Sequence, residues 1–158
     1  MSGPLPDAGW AVTQLVPSPE VAIGGRESGA HFGMRWQITP LLYSFGVNRR
    51  VSPWRAFIAE PLVRNSGSVE AYMSPEWIDS GPRVADRFAL RPGVRLTFPL
   101  AQHGDYLSAS IGTSYTTARA VGYEGGIYTL YGVFGLQVTV SPTRGEPPCI
   151  VTLRIRYF

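Results

Sequence analysis

The chain has 158 residues, enough for one domain of ordinary size and too few for two. Gly 18 and Pro 14 suit strands and turns better than helices, and charged residues make up only 16%, against roughly 25% in a typical soluble domain. That balance excludes a disordered chain, a coiled coil and an acidic tail, and no run reaches the ~18 uninterrupted apolar residues of a membrane helix.

The formal net charge of +3 comes from 14 arginines and 11 acids, with no lysine. The arginines are scattered, and Arg49-Arg50 is their one adjacent pair, so no basic face for nucleic acid is formed. Cys149 is the single cysteine, which forbids an internal disulfide. His31 and His103 are the only histidines, a poor supply for a metal centre. No export signal is visible: the first basic residue is Arg26, and Pro4, Pro6, Asp7, Pro17 and Pro19 interrupt the apolar stretch such a signal needs.

Residues 1–28 read as an irregular lead-in, within which 10–16 is compatible with a short strand; residues 29–158 read as one β-barrel domain. From 29 onward apolar and polar residues alternate, the period-two signature of strands. Over 29–38, Ala30, Phe32, Met34, Trp36 and Ile38 oppose His31, Gly33, Arg35 and Gln37. Thr39-Pro40 reads as a turn, followed by a strand over 41–47 and a less regular one over 54–63, where Pro61 removes a donor. After the turn at Asn65-Ser66-Gly67, the segment 68–77 sets Val69, Ala71, Met73 and Trp77 against Ser68, Glu70, Tyr72, Ser74 and Glu76.

A long connection over 79–86 leads to a fifth strand ending at Leu100, with Val94, Leu96, Phe98 and Leu100 opposite Gly93, Arg95 and Thr97. The sixth, 106–116, alternates throughout. Glu124-Gly125-Gly126 reads as a turn, and the seventh strand, 128–140, places Tyr128, Leu130, Phe134, Leu136, Val138 and Val140 on one face. The eighth, 149–157, opposes Cys149, Val151, Leu153, Ile155 and Tyr157 to Thr152, Arg154 and Arg156. Eight such strands predict an all-β, antiparallel up-and-down barrel, which closes on itself and removes exposed edges.

The composition of the polar face decides which side is inside. It is rich in Gly, Ser, Thr and Tyr, and its charges carry both signs: Arg35, Arg95, Arg154 and Arg156 against Glu70 and Glu76. Such a set can pair within a narrow interior, where a lone charge would be costly. Phe98, Leu130, Phe134, Leu136 and Val138 then face lipid. Trp36, Trp54, Trp77, Tyr115, Tyr128 and Tyr157 lie near strand ends, as an interfacial girdle requires. Tyr72, Tyr106 and Tyr131 with the arginines fill the lumen, so a wide pore is not expected. The alternative is a soluble, lipocalin-like barrel binding a small apolar ligand, with the apolar face inward.

The hairpin GVRLTFPLAQHGDYLSASIGTSY and the ending VTLRIRYF resemble small bacterial outer-membrane β-barrel proteins. In that class the closing strand alternates and the chain stops on an aromatic residue, as Phe158 does here, although Phe158 sits off the apolar face of its strand. The resemblance implies the bacterial outer membrane as location and the bilayer or lipopolysaccharide as partner. Another envelope protein is a further candidate partner; no nucleic acid and no cofactor are implied.

Enzymatic chemistry finds little support. Small barrel enzymes that deacylate lipid A carry a His-any-Ser pattern, whereas His31 is followed by Phe32-Gly33 and His103 by Gly104-Asp105. Glu70 and Glu76 share a face but stand about 20 Å apart along a strand, too far for paired-carboxylate hydrolysis. The glycines near Glu124 precede no helix, so no phosphate cradle is expected. The expectation is a barrel with a structural or interaction role and no catalytic residues.

Overall fold

The computed structural model describes residues 16–24, 29–45, 54–56, 67–79, 86–101, 106–117, 119–130, 134–143 and 148–155. Among them there is no helix. The strands are β1 (Ser18–Ile23), β2 (Ala30–Arg35), β3 (Ile38–Ser44), β4 (Trp54–Ala56), β5 (Ser68–Ile78), β6 (Arg87–Ala101), β7 (Leu107–Thr116), β8 (Ala120–Thr129), β9 (Phe134–Val140) and β10 (Cys149–Ile155). All pairings are antiparallel. β5 through β10 follow one another around the sheet, β10 pairs with β1, β1 with β2, and β2 with β5.

β2 and β3 form one wall. Arg35 faces Glu76 and Ile38 faces Met73 in a single continuous register on β5, and the Trp36 N–H donates to the Pro75 carbonyl at 2.9 Å across the break. Counting that wall once, the result is a closed eight-stranded barrel with β4 as one extra strand on β3.

The registers fix the barrel's shape. Stepping from Ser68 to each paired neighbour, the row runs Thr97, Ser110, Gly126, Gln137, Thr152, Glu20 and Gly33. It returns to β5 at Ile78, ten residues from its start. Ten residues at ~3.3 Å over eight strands ~4.7 Å apart tilt the strands by about 40°. The lumen that results is narrow, wide enough for side chains alone.

Alternation then sorts the faces. On β8 and β9 inward and outward positions alternate, Gly126 alone being half-buried among the inward ones, and the inward set is Glu124, Gln137 and Thr139 with Tyr128 and small residues. Among the described residues only eight apolar side chains are buried, whereas twenty-four large apolar ones are exposed. The barrel is inside out relative to a water-soluble one. Ala22, Ile78 and Ile150 make a small apolar cluster at one end of the lumen.

Four local expectations are corrected. Ser18–Ile23, inside the stretch read as an irregular lead-in, is β1 and closes the barrel against β10. Thr39-Pro40 is no turn: Pro40 lies within β3, where a shift in register between Ile38 and Leu41 accommodates its missing donor. Glu124-Gly125-Gly126 lies mid-strand in β8, and the run 128–140 is divided into β8 and β9 by a reversal at Leu130, which has φ 50°. That reversal changes the phase, so Tyr128 points inward and is buried while Phe134 points outward. Of the strand expected over 54–63, only Trp54–Ala56 lies in the described residues.

Gly126, misread as part of a turn, and Gly135 make room for Tyr128. A Cβ on Gly126 would stand 2.7 Å from the Tyr128 hydroxyl, and one on Gly135 would overlap its ring. The ring thus lies across Gly135 of the neighbouring strand with its hydroxyl 3.0 Å from Ser110 Oγ. Gly135→Ala should cost about 1–3 kcal/mol by overpacking. Combining it with Tyr128→Ala should recover part of that loss, read from urea unfolding of the purified barrel. A penalty that Tyr128→Ala leaves unchanged would refute the steric account.

Candidate functional site: the buried charge network

The inner face carries eight charged side chains buried to 5% exposure or less among the described residues: Glu20, Glu70, Glu76 and Glu124 against Arg35, Arg91, Arg95 and Arg154. Within this described set the two signs balance, four against four. An isolated ion there would carry several kcal/mol of desolvation cost, so pairing is a condition of folding. Each of these residues occupies an inward position of a strand because its neighbours in sequence are apolar or small and take the outer face.

One group gathers on Glu76 of β5. Arg91 of β6 grips it with two parallel bonds, Nε to Oε2 at 3.1 Å and Nη2 to Oε1 at 2.9 Å, the fork geometry that only arginine offers. Arg35 Nη2 donates to Glu76 Oε2 at 3.0 Å, while Arg35 Nε stands 2.9 Å from Glu20 Oε2 on β1. Thr152 of β10 donates to the same Glu20 oxygen at 3.2 Å. Arg87, partly exposed at the strand end, lies 3.6 Å from Glu76. This group therefore links β10, β1, β2, β5 and β6.

The second group centres on Arg95 of β6. Its Nη1 donates to Glu70 Oε1 at 2.9 Å and to Gln37 Oε1 at 3.1 Å; its Nε donates to Glu124 Oε1 at 2.9 Å. Nη2 lies 2.7 Å from Glu124 Oε1 and donates to Gln137 Oε1 at 3.3 Å. Gln137 in turn donates to Glu124 Oε2 at 2.6 Å. The guanidinium also sits 4.5 Å from the centre of the Tyr72 ring, a cation–π contact. One side chain thus reaches β5, β8, β9 and the link between β2 and β3.

Of the residues expected to form an interior polar cluster, Arg35, Glu70, Glu76, Arg95 and Arg154 are all buried on the inner face. Glu70 pairs with Arg95 and Glu76 with Arg35, whereas Arg156 lies outside the described residues. Phe134, Leu136 and Val138 are exposed on the outer wall and Phe98 is half-buried there. Leu130 is also exposed, but in the reversal after β8 and not on a strand. Tyr72 is inside as expected; Tyr106 is 60% exposed, because it precedes β7 at the rim. Tyr131 and His103 lie outside the described residues, and His31 is half-buried near the start of β2.

Sequence reasoning missed Glu20, Arg91 and Glu124. Glu20 fell in the lead-in and Glu124 in the supposed turn; extending alternation through Tyr123, Gly125 and Ile127 would have placed Glu124 inward. Arg91 alternates with Phe88, Leu90 and Pro92 at the start of β6, ahead of the part of the strand that was read.

As chemistry, the network holds its charges against one another and leaves its carboxylates facing guanidinium or hydroxyl donors. Among the described residues no group of three His, Cys, Asp or Glu could hold a metal ion. What the arrangement does is fill the lumen and tie non-adjacent strands together. Arg95→Met, which strands Glu70 and Glu124, should cost about 3–5 kcal/mol. Arg87→Met, at a half-open and longer contact, should cost under ~1 kcal/mol. Equilibrium unfolding of both variants under identical solvent conditions checks the contrast, and equal losses would contradict it.

No protein-family model, no curated protein and no solved structure matches this chain.

Proposed function

We propose that this protein is a small bacterial outer-membrane β-barrel with a structural or interaction role, its filled interior allowing no wide pore and carrying no catalytic site. The observation behind the reading is the inversion of the two faces. The outer wall bears Val21, Phe32, Leu41, Met73, Val94, Ile111, Ile127, Leu136 and Leu153, all exposed, while arginine and glutamate fill the lumen. Water would meet that belt on every side, far beyond the few hundred Å² of apolar patch a soluble monomer exposes. A bilayer is the solvent that fits it.

Dimensions and aromatic placement support the same reading. The eleven residues of β5, tilted by about 40° at ~3.3 Å each, rise roughly 27 Å, close to the ~25 Å apolar band of such barrels. Phe32, Trp77 and Phe88 cluster at one end of the wall, with Trp77 paired to Phe88. Tyr43, Phe45, Phe98 and Tyr106 lie toward the other end, the Tyr43 and Phe45 rings meeting edge-on at 5.4 Å. Two aromatic levels flanking aliphatic side chains match the two interfaces of a membrane. Among the described residues no helix is long and apolar enough to cross a membrane, so strands are the route through it. A lipocalin-like barrel needs an apolar lumen, and the inner face here is charged.

Leu136→Arg, in the middle of β9's exposed face, should destabilise the barrel in phospholipid vesicles by about 2–4 kcal/mol. Thr129→Arg, exposed at the end of β8, should cost no more than about 1 kcal/mol, since water lies within reach at the interface. Denaturant titration in vesicles measures both. A soluble barrel would tolerate both changes equally and stay folded and monodisperse without detergent.

A further inference from the structure

The outer wall has a depression over β8, β9 and β10 where a side chain is missing. A groove of about 580 Å³ runs over β8, β9 and β10, floored by Gly125 and walled by Ile127, Phe134, Leu136, Val138 and Leu153. Gly125 is exposed at an outward position of β8, between the outward Tyr123 and Ile127. A Cβ there would meet only the Ser110 carbonyl oxygen, at 3.9 Å, which is ordinary contact. Its backbone is not among those with positive φ. Neither packing nor conformation calls for glycine at this place, in contrast to Gly126 and Gly135, which yield to Tyr128. What the glycine leaves is space on the outside.

We infer that this groove holds a single acyl chain of a membrane phospholipid, an inference that rests on the membrane reading above. No charged residue lines it, so neither a headgroup nor an acidic or basic peptide finds a partner there. Ten residues on three strands line it, whereas a stable protein partner engages ~20–30 residues a side. A second copy would also need a matching ridge on the same patch to fill a concavity at a twofold axis. A flexible hydrocarbon chain needs none of these. It follows the furrow between the aliphatic side chains of β8 and β9, and at this point the protein orders one lipid where the rest of the belt meets a fluid solvent.

The test compares the purified barrel with Gly125→Phe, which fills the groove, and with Ala71→Phe, which adds the same ring to the outer face of β5. Native mass spectrometry of each with added phosphatidylethanolamine should show one retained lipid on the parent chain and on Ala71→Phe. Gly125→Phe should lose most of that retention. Unchanged retention in Gly125→Phe, or equal loss in both variants, overturns the inference. On the unaltered chain, one equivalent of phosphatidylethanolamine with a diazirine on its acyl chain should label Ile127, Leu136 and Leu153 in preference to Met73 and Val94. Even labelling around the belt overturns it as well, and this arm needs no variant to fold. A dimer that Gly125→Phe abolishes would give the groove to a second copy instead. If the parent chain is folded and monomeric without detergent, the membrane reading itself fails; if it needs detergent but shows no site preference, only the groove assignment does.

Discussion

A guanidinium enclosed by protein must be met by carboxylates, and the rest of this barrel is arranged around that requirement. Arg95 alone satisfies it through Glu70 and Glu124, with Gln37 and Gln137 taking further donors. Glu70 stands on the adjacent strand β5, but Glu124 and Gln137 come from β8 and β9, so these bonds act as crossbars through a sheet whose strands are otherwise joined only side to side. An ordinary globular domain gains its cohesion from an apolar interior. Here the interior supplies electrostatic cohesion and the apolar surface is left for the surroundings to cover.

The small residues follow from the same geometry. In a barrel of eight strands with this tilt, large inward side chains find room over glycines of the neighbouring strand. Tyr72 lies over Gly93, where any Cβ would collide with its ring, and beyond it the Arg95 guanidinium stacks on the Tyr72 face. Gly112 yields in the same way to the Glu124 side chain, whose Oε1 would lie 2.9 Å from a Cβ there. The serines and threonines of the inner face fill what remains at little volume. Each of these inward glycines is therefore a partner of a particular long side chain.

Much of this was legible in the sequence, and the failures have physical causes. Strict alternation over 68–77 and 107–116 placed Glu70, Glu76 and the β7 hydroxyls correctly, because each strand keeps one phase from end to end. The hairpin of β8 and β9 defeated the same rule. Its reversal begins at Leu130, which takes a positive φ without being Gly or Asn, while a Gly-Gly pair that looks like a turn sits mid-strand with Gly126 beneath the Tyr128 ring. The strand β1 was hidden by Pro17 before it and Pro19 within it, the latter paired with Met34 of β2 and lying outside the register with β10. Pairing between charges is a property of the closed ring: no local pattern tells that Arg91 and Arg35 meet on one carboxylate.

The seam between β1 and β10 joins the two ends of the described chain. Glu20 and Thr152, hydrogen-bonded there, are 132 residues apart in sequence. Contacts of such separation are made late and slowly, since the loop must close before they reward it. Until β10 arrives, β1 lacks its second neighbour and the Glu20 carboxylate lacks its hydroxyl donor. An incomplete chain therefore exposes both a sticky outer belt and unpaired strand edges, the combination most prone to aggregate. The ring geometry that makes the finished barrel edgeless also sets the moment of greatest vulnerability, just before its last strand docks.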